Sequence, residues 1–455
     1  MSSRLLNNPL EVKNAMRSLS IAILTAILTL GAAAADGLGD IATVVENTGA
    51  SGVLNVYHWW TAGGEKEAIE AALQVFQERY PNVRVLSNAI PGGAGGAMVM
   101  KVKILMVTGN SPESFQAHPG FEIQPYYDAG LLYPLNGVWE YAGIADRLLP
   151  GIEEWCRVGE DYFLVPIGVH RTNMIWYNKH LFAEYGVEPP EEPVTWEDFW
   201  ALCEELSAKL PKGKYVLDLG DRRGWPATHV FETIMMGTDP QIYEDFINGV
   251  VSQEDLELVL SRFKRFLGYV APDHPARLWY EAAGRVYAGD IAMYLHGDWI
   301  KAYFASRGWV YGEDYGAFPA PGTSGKFGLC IDAFVVPRGS ADPENGARWA
   351  YLCSDPELQR LFTSQKGSIS PYRDTPLEVY DELSRAFLDE LLDPNTLAYP
   401  SFTHGIALPW EVLMDLHSRI SDFATSSDPD VSRYARLLSQ SLHEAGVQPT
   451  WDIVD

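Results

Sequence analysis

The stretch "VYHWWTAGGE", residues 56–65, sets Trp59 beside Trp60, with His58 before them and Gly63, Gly64 and Glu65 after. Successive strand side chains point to opposite faces, so two adjacent tryptophans cannot both enter one core. With the preceding "GVLN" (52–55) the stretch is a β-branched and aromatic run bounded by glycines, which predicts a first strand. The following "EKEAIEAALQVFQERYPNV" (65–83) spaces Ile69, Leu73, Phe76 and Tyr80 at helical intervals, and Pro81 ends the pattern. Beyond it "VRVLSNAI" predicts a second strand, the glycines at 92–96 a turn, "AMVMKVKILMV" a second amphipathic helix, and "SPESFQAH" a third strand. Such alternation implies a mostly parallel sheet with helices on both faces.

Open parallel sheets bind ligands at the carboxyl ends of their strands. The tryptophan pair falls at that end of the first strand, where both side chains can project into a cleft; alternatively one packs into the core and the other covers a helix. Gly63 and Gly64 favour the cleft by opening the turn. Glu65 then sits at the next helix start, where the helix dipole also favours an acid for structural reasons alone. Gln116 and His118 of "FQAHPG" (115–120) sit at the carboxyl end of the third strand and, two apart, share a side.

At 455 residues the chain exceeds what one core fills, so at least two domains are expected. The formal net charge of −26 argues against nucleic acid and anionic membranes as partners. With 14 Trp and 23 Tyr the chain is rich in residues that grip flat, partly apolar ligands. Lys13 and Arg17 precede the apolar "LSIAILTAILTLGAAAA" (19–35), the order of a cleavable secretory signal peptide over residues 1–35. Residues 36–51 read as a leader that need not fold. Cys156, Cys203, Cys330 and Cys353 form no CxxC pair, so a structural zinc site has no support; they are buried thiols or a disulfide in an exported chain. No GxGxxG survives at 93–98, where Met98 replaces the third glycine, and no GKS/GKT, GxSxG or HExxH occurs. Neither a metal nor any other cofactor is expected. Glu65 and Asp332 could serve a glycosidase, but that chemistry is defined by a separation the sequence does not give.

The ordered set "VYHWWTAGGE", "GGAG", "FQAHPG", "VPIGVHRTNMIWYNK", "PVTWEDF", "HGDW", "IDAF", "QKGSISP" and "THG" resembles the extracellular solute-binding proteins of bacterial ATP-binding-cassette sugar importers, within them the periplasmic glucose-binding branch, from about residue 52 to 440. The resemblance implies a two-lobed α/β periplasmic binding fold (type II). Lobe 1 would hold 52–168 and 299–355, and lobe 2 would hold 169–298 and the helix-rich 356–455, with a hinge crossing near 168–173. It implies a carbohydrate site of Trp59, Trp60, Glu65, Gln116, His118, Trp279, Asp332, Lys366 and His404. His58, where a small polar residue is expected, and one extra residue between Trp60 and Glu65 depart from the pattern. The chemistry agrees: a hexopyranose offers C–H faces to tryptophan and a rim of hydroxyls to donors and acceptors. A periplasmic monomer that closes on glucose and delivers it to a membrane permease is thus expected. Alternatives are another sugar (galactose, mannose, xylose or a short oligosaccharide) or an exported glycoside hydrolase. If a disulfide forms, Cys330 with Cys353 is the expected pair, because a bond between Cys156 and Cys203 would restrain the hinge.

Overall fold

The computed structural model describes residues 37–91, 96–222 and 224–444. The expected signal peptide and most of the glycine turn at 92–96 lie outside these residues. Apart from a two-residue ribbon, Arg157–Val158 with Asp161–Tyr162, ten strands make two open sheets. They are β1 (Ser51–His58), β2 (Asn82–Ala89), β3 (Ser114–Ala117), β4 (Leu164–Arg171), β5 (Met174–Asn178), β6 (Tyr215–Asp218), β7 (Ile291–His296), β8 (Tyr315–Pro319), β9 (Lys326–Val335) and β10 (Leu397–Pro400). The first sheet runs β10-β9-β3-β1-β2, and β4 also pairs with β9; the second runs β8-β5-β7-β6.

The first strand and its helix follow from their residues. In β1, Leu54, Val56 and His58 are buried while Asn55 and Tyr57 are half-buried, the alternation a one-sided strand requires. The helix Gly63–Arg79 buries Ile69, Leu73 and Phe76, each contributing roughly 1.5–3 kcal/mol of apolar burial. Gly63 has φ +56°, and a Cβ on Gly64 would lie 2.5 Å from Ala302 Cβ and 2.6 Å from the Gln365 carbonyl oxygen. The glycine pair therefore permits close approach of two further helices, Ile300–Ala305 and Pro356–Lys366, rather than merely opening a turn.

Parallel pairings join β1 to β2 and β3, β9 to β10 and β6 to β7, while β9 runs antiparallel to β3 and β4, and β5 antiparallel to β7 and β8. Two expectations change. Part of the supposed leader folds, since Ile41–Glu46 is a helix whose N-cap Asp40 accepts the Thr43 N–H, and Val44 and Val45 are buried. Its docking partners are helices Pro343–Cys353 and Asn136–Ala142, contacts no local pattern announces. Finally, backbone pairing redraws the division at 299 and 356. Tyr315–Pro319 belongs to the second sheet, so the chain returns to the first only between 320 and 326, and β10 within 356–455 belongs to the first. The chain steps from β4 of the first sheet to β5 of the second at residues 172–173.

No disulfide joins Cys330 to Cys353. Cys330 is on β9, Cys353 ends the helix Pro343–Cys353, and all four cysteines are free and buried. Alkylation of the unfolded, unreduced protein is expected to add four labels by mass spectrometry; two labels would restore the bond. Among the described residues no helix is long and apolar enough to cross a membrane.

Candidate functional site

The carboxyl ends of the strands converge on one cavity. Trp59 and Trp60 leave the end of β1, and His118 follows β3. Asp332 projects from β9 where the register with β4 shifts between residues 332 and 333, a bulge of the kind that re-aims side chains. Lys366 is the last residue of its helix, and His404 lies in the turn after β10. Gly220, just beyond β6, and Trp279, at the start of the helix Trp279–Ala288, also line it. Gly220 has φ +65°, and a Cβ there would meet Trp279 Cα at 3.0 Å, so glycine lets that tryptophan seat against the wall. The enclosed volume is about 50 Å³.

The two adjacent tryptophans part company. Trp59 is half-buried, its N–H donates to Gln116 Oε1 at 3.2 Å, and its ring lies 4.8 Å from that of His118. Trp60 is fully buried, packed on Phe334 and Phe362 at ring separations of 5.9 and 5.2 Å, so it forms the floor of the cavity as a core residue. Gln116 does not line the cavity. Its amide donates to Asp332 Oδ1 at 2.9 Å while its oxygen holds Trp59, so it acts as a bracket between the two.

A buried ionic network lies under the cavity. Lys366 Nζ is 3.0 Å from Glu65 Oε1, 3.6 Å from Asp332 Oδ2 and 3.0 Å from His170 Nε2, and it sits 5.1 Å over the Trp60 ring. His170 is in turn bonded to Asp298 through Nδ1 and lies 3.1 Å from Asp332 through Nε2. Burial alone would raise Asp332, but Lys366 and His170 outweigh it and hold the carboxyl well below its usual range. Glu65 is displaced the other way, because burial outweighs the attraction of Lys366. Burial would lower Lys366, yet Glu65 and Asp332 keep it charged above its ordinary value. Opposed shifts on neighbouring groups in a cavity mark a site built for polar recognition.

Comparison with known proteins gives this geometry a family. Residues 60–357 match the model of the bacterial extracellular solute-binding proteins. The chain belongs to that family. An uncharacterized ABC transporter extracellular-binding protein of Pyrococcus horikoshii is 40% identical over 82% of this chain and 84% of its own. A probable sugar-binding periplasmic protein of Brucella melitensis is 24% identical over 85% and 90%. Among solved structures, the solute receptor AcbH, described as having an exclusive preference for β-D-galactopyranose, superimposes with a TM-score of 0.75 at 16% identity, over 87% of this chain and 99% of that one. The fold of this solute-binding protein is accordingly two-lobed, with the cavity between its sheets.

Sequence reasoning missed several wall residues of the solute-binding protein. His170, Trp225 and Trp299 line the cavity, and the rings of Trp225 and Trp299 stand 5.8 and 5.5 Å from that of His404. His170 and Trp299 lie inside "VPIGVHRTN" and "HGDW", stretches already singled out, so their place beside the carboxyl ends of β4 and β7 was the available signal. Trp225 opens the helix Trp225–Thr238, whose near-complete burial leaves no amphipathic pattern to read. The wall thus alternates aromatic plates with histidine and charged groups, an arrangement that can hold a flat polar molecule on both its faces and its rim.

Proposed function

We propose that this protein captures one neutral monosaccharide, glucose, and passes it intact to the membrane permease of an ABC sugar transporter. The observation that carries the reading is that Trp59, at the end of β1 in the first sheet, and Trp279, on the helix leading into β7 of the second, line one cavity with Glu65, Asp332 and Lys366. Tryptophan faces stack on the C–H faces of a pyranose, while the carboxylates accept from hydroxyls and Lys366 donates. His118, 2.8 Å from Glu122 through Nδ1, and His404 complete the rim. With about a dozen heavy atoms, a hexose reaches micromolar affinity, ~−8 kcal/mol, within the known ceiling per atom. Groups from both sheets on one ligand favour hinge closure, and the closed form is what the permease receives. The basic-then-apolar N-terminus supports export through a cleaved signal, leaving a periplasmic monomer with formal charge −28 suited to an uncharged ligand.

Isothermal titration of the mature protein with glucose, galactose, mannose, xylose, cellobiose and chitobiose tests this. Glucose is expected to bind with a micromolar Kd, to be recovered unhydrolysed, and at 100 times Kd to add ~2.7 kcal/mol of stability, visible as a raised Tm. The preference described for AcbH makes galactose, the C4 epimer, the first competitor. Silence with every monosaccharide, or tighter binding of a disaccharide, would overturn the reading.

A further inference from the structure

His404 stands in the cavity wall, and its use there depends on which ring nitrogen carries the hydrogen. A neutral imidazole donates from one nitrogen and accepts at the other. Nδ1 lies 2.7 Å from Ser401 Oγ, and Ser401 Oγ lies 2.8 Å from Glu232 Oε2. Glu232 is 1% exposed and rises from the helix Trp225–Thr238 behind the wall. Its Oε1 accepts the Phe402 N–H at 2.6 Å, with the Thr403 N–H at 3.5 Å, and lies 2.9 Å from the Tyr243 hydroxyl, whose one proton also has the Pro400 carbonyl oxygen at 2.6 Å. The cluster His229, Glu232 and His404 brings its donor atoms within 4.8 Å of one another, but Ser401, Phe402 and Thr403 already donate to the carboxylate, so hydrogen bonding rather than a cation accounts for it.

Burial raises the Glu232 pKa, and the bonds it accepts from Ser401 and Phe402 oppose that and favour the ionised form. As a carboxylate it has no proton to give, so the single hydroxyl proton of Ser401 goes to Glu232. Ser401 can then only accept from His404, and Nδ1 must be the N–H. Burial first, then the nearby His118, His229 and His296, keep the ring neutral by holding its pKa far below the ordinary value. Nε2 is left with a bare lone pair, on a residue that lines the cavity. We infer that Glu232, through Ser401, fixes His404 as a hydrogen-bond acceptor toward the ligand, so that this part of the wall selects a hydroxyl able to donate. Glu232 is a positioning residue, since it touches no ligand. The inference rests on the sugar reading above only for the ligand's identity.

Glu232→Gln turns the relay around for a stated reason. The Phe402 N–H at 2.6 Å requires an acceptor at the Oε1 position, so the amide nitrogen takes the Oε2 position and donates to Ser401. Ser401 then donates to Nδ1, and the hydrogen of His404 moves to Nε2. Long-range ¹H–¹⁵N correlation spectra of the histidine-labelled, ligand-free full mature protein read the tautomer directly, with His404→Gln assigning the signals. The expected result is Nδ1–H in the native protein and Nε2–H in Glu232→Gln. Where Glu232→Gln does not fold, Ser401→Ala serves instead and is expected to release the Nδ1–H preference. A native Nε2–H ring, or a tautomer that neither variant moves, would overturn the relay. In a series of monodeoxyfluoro-glucoses, which accept but do not donate at the replaced position, the native protein is expected to lose about tenfold in affinity at one position. Most of that loss disappears in Glu232→Gln. A confirmed tautomer switch without binding of any monosaccharide would sink the sugar reading and leave the relay standing; glucose binding with an unmoved tautomer would do the reverse.

Discussion

Lys366→Met is expected to destabilise the folded protein by about 3–5 kcal/mol at pH 8, because it strands two buried carboxylates that one ammonium now serves. Glu65 and Asp332 lie 3.0 and 3.6 Å from that nitrogen. His170 continues to pair with Asp332 in the variant, so the larger part of the cost falls on Glu65. The pH dependence identifies the cause. Burial already raises the Glu65 pKa in the native state, and removing the lysine raises it further above its unfolded value. A carboxyl with a raised folded pKa costs nothing below its unfolded pKa, and its cost grows as pH rises from there to the folded pKa. The loss is therefore expected to shrink as pH falls from 8 to 5, read as the difference in urea midpoint between native and variant at each pH. A loss under about 1 kcal/mol, equal at both pH values, would show that the lysine is not what compensates these acids. Sugar affinity should fall at least tenfold at either pH, since a donor is lost and the acceptors are displaced.

That network also shows where sequence reasoning stopped. Glu65, Asp332 and Lys366 were legible as candidates because each stands in a recognisable phrase, and all three line the cavity. What no phrase carried was that they serve one another before they serve a ligand. Residues 301 apart in the chain meet at 3.0 Å through the packing of two helices. Gln116 illustrates the same limit: strand periodicity placed it beside His118, but only the register of β9 against β3 shows its amide committed to Asp332 and Trp59. The first strand and helix were legible because their signals are local alternation and 3.6-residue spacing. The antiparallel insertion of β9 was not, because a fully buried strand reads the same in either direction. The helix Ile41–Glu46 is too short for a period and is held by tertiary contact.

Trp60→Ala and Trp59→Ala are expected to fail in different ways, which decides what the tandem pair is for. Trp60 is fully buried against Phe334 and Phe362, so its truncation leaves a cavity in the core of the first sheet and should cost about 3–5 kcal/mol of stability. Lys366 loses the ring beneath it as well, so binding weakens as a secondary effect. Trp59 has its ring at the cavity beside His118 and only its backbone tied to Gln116. Its truncation removes no core packing partner of comparable burial and should cost about 1 kcal/mol in stability. It should still lower sugar affinity tenfold or more, since a stacking plate is gone. Urea denaturation and calorimetric titration of both variants, at a temperature where each remains folded, separate the two roles. Equal stabilities with equal losses of affinity would mean that both rings serve the ligand, as the end of a strand would allow. The asymmetry expected here follows instead from the pleat: β1 buries Leu54, Val56 and His58, and Trp60 continues that buried set while Trp59 stays on the half-buried side.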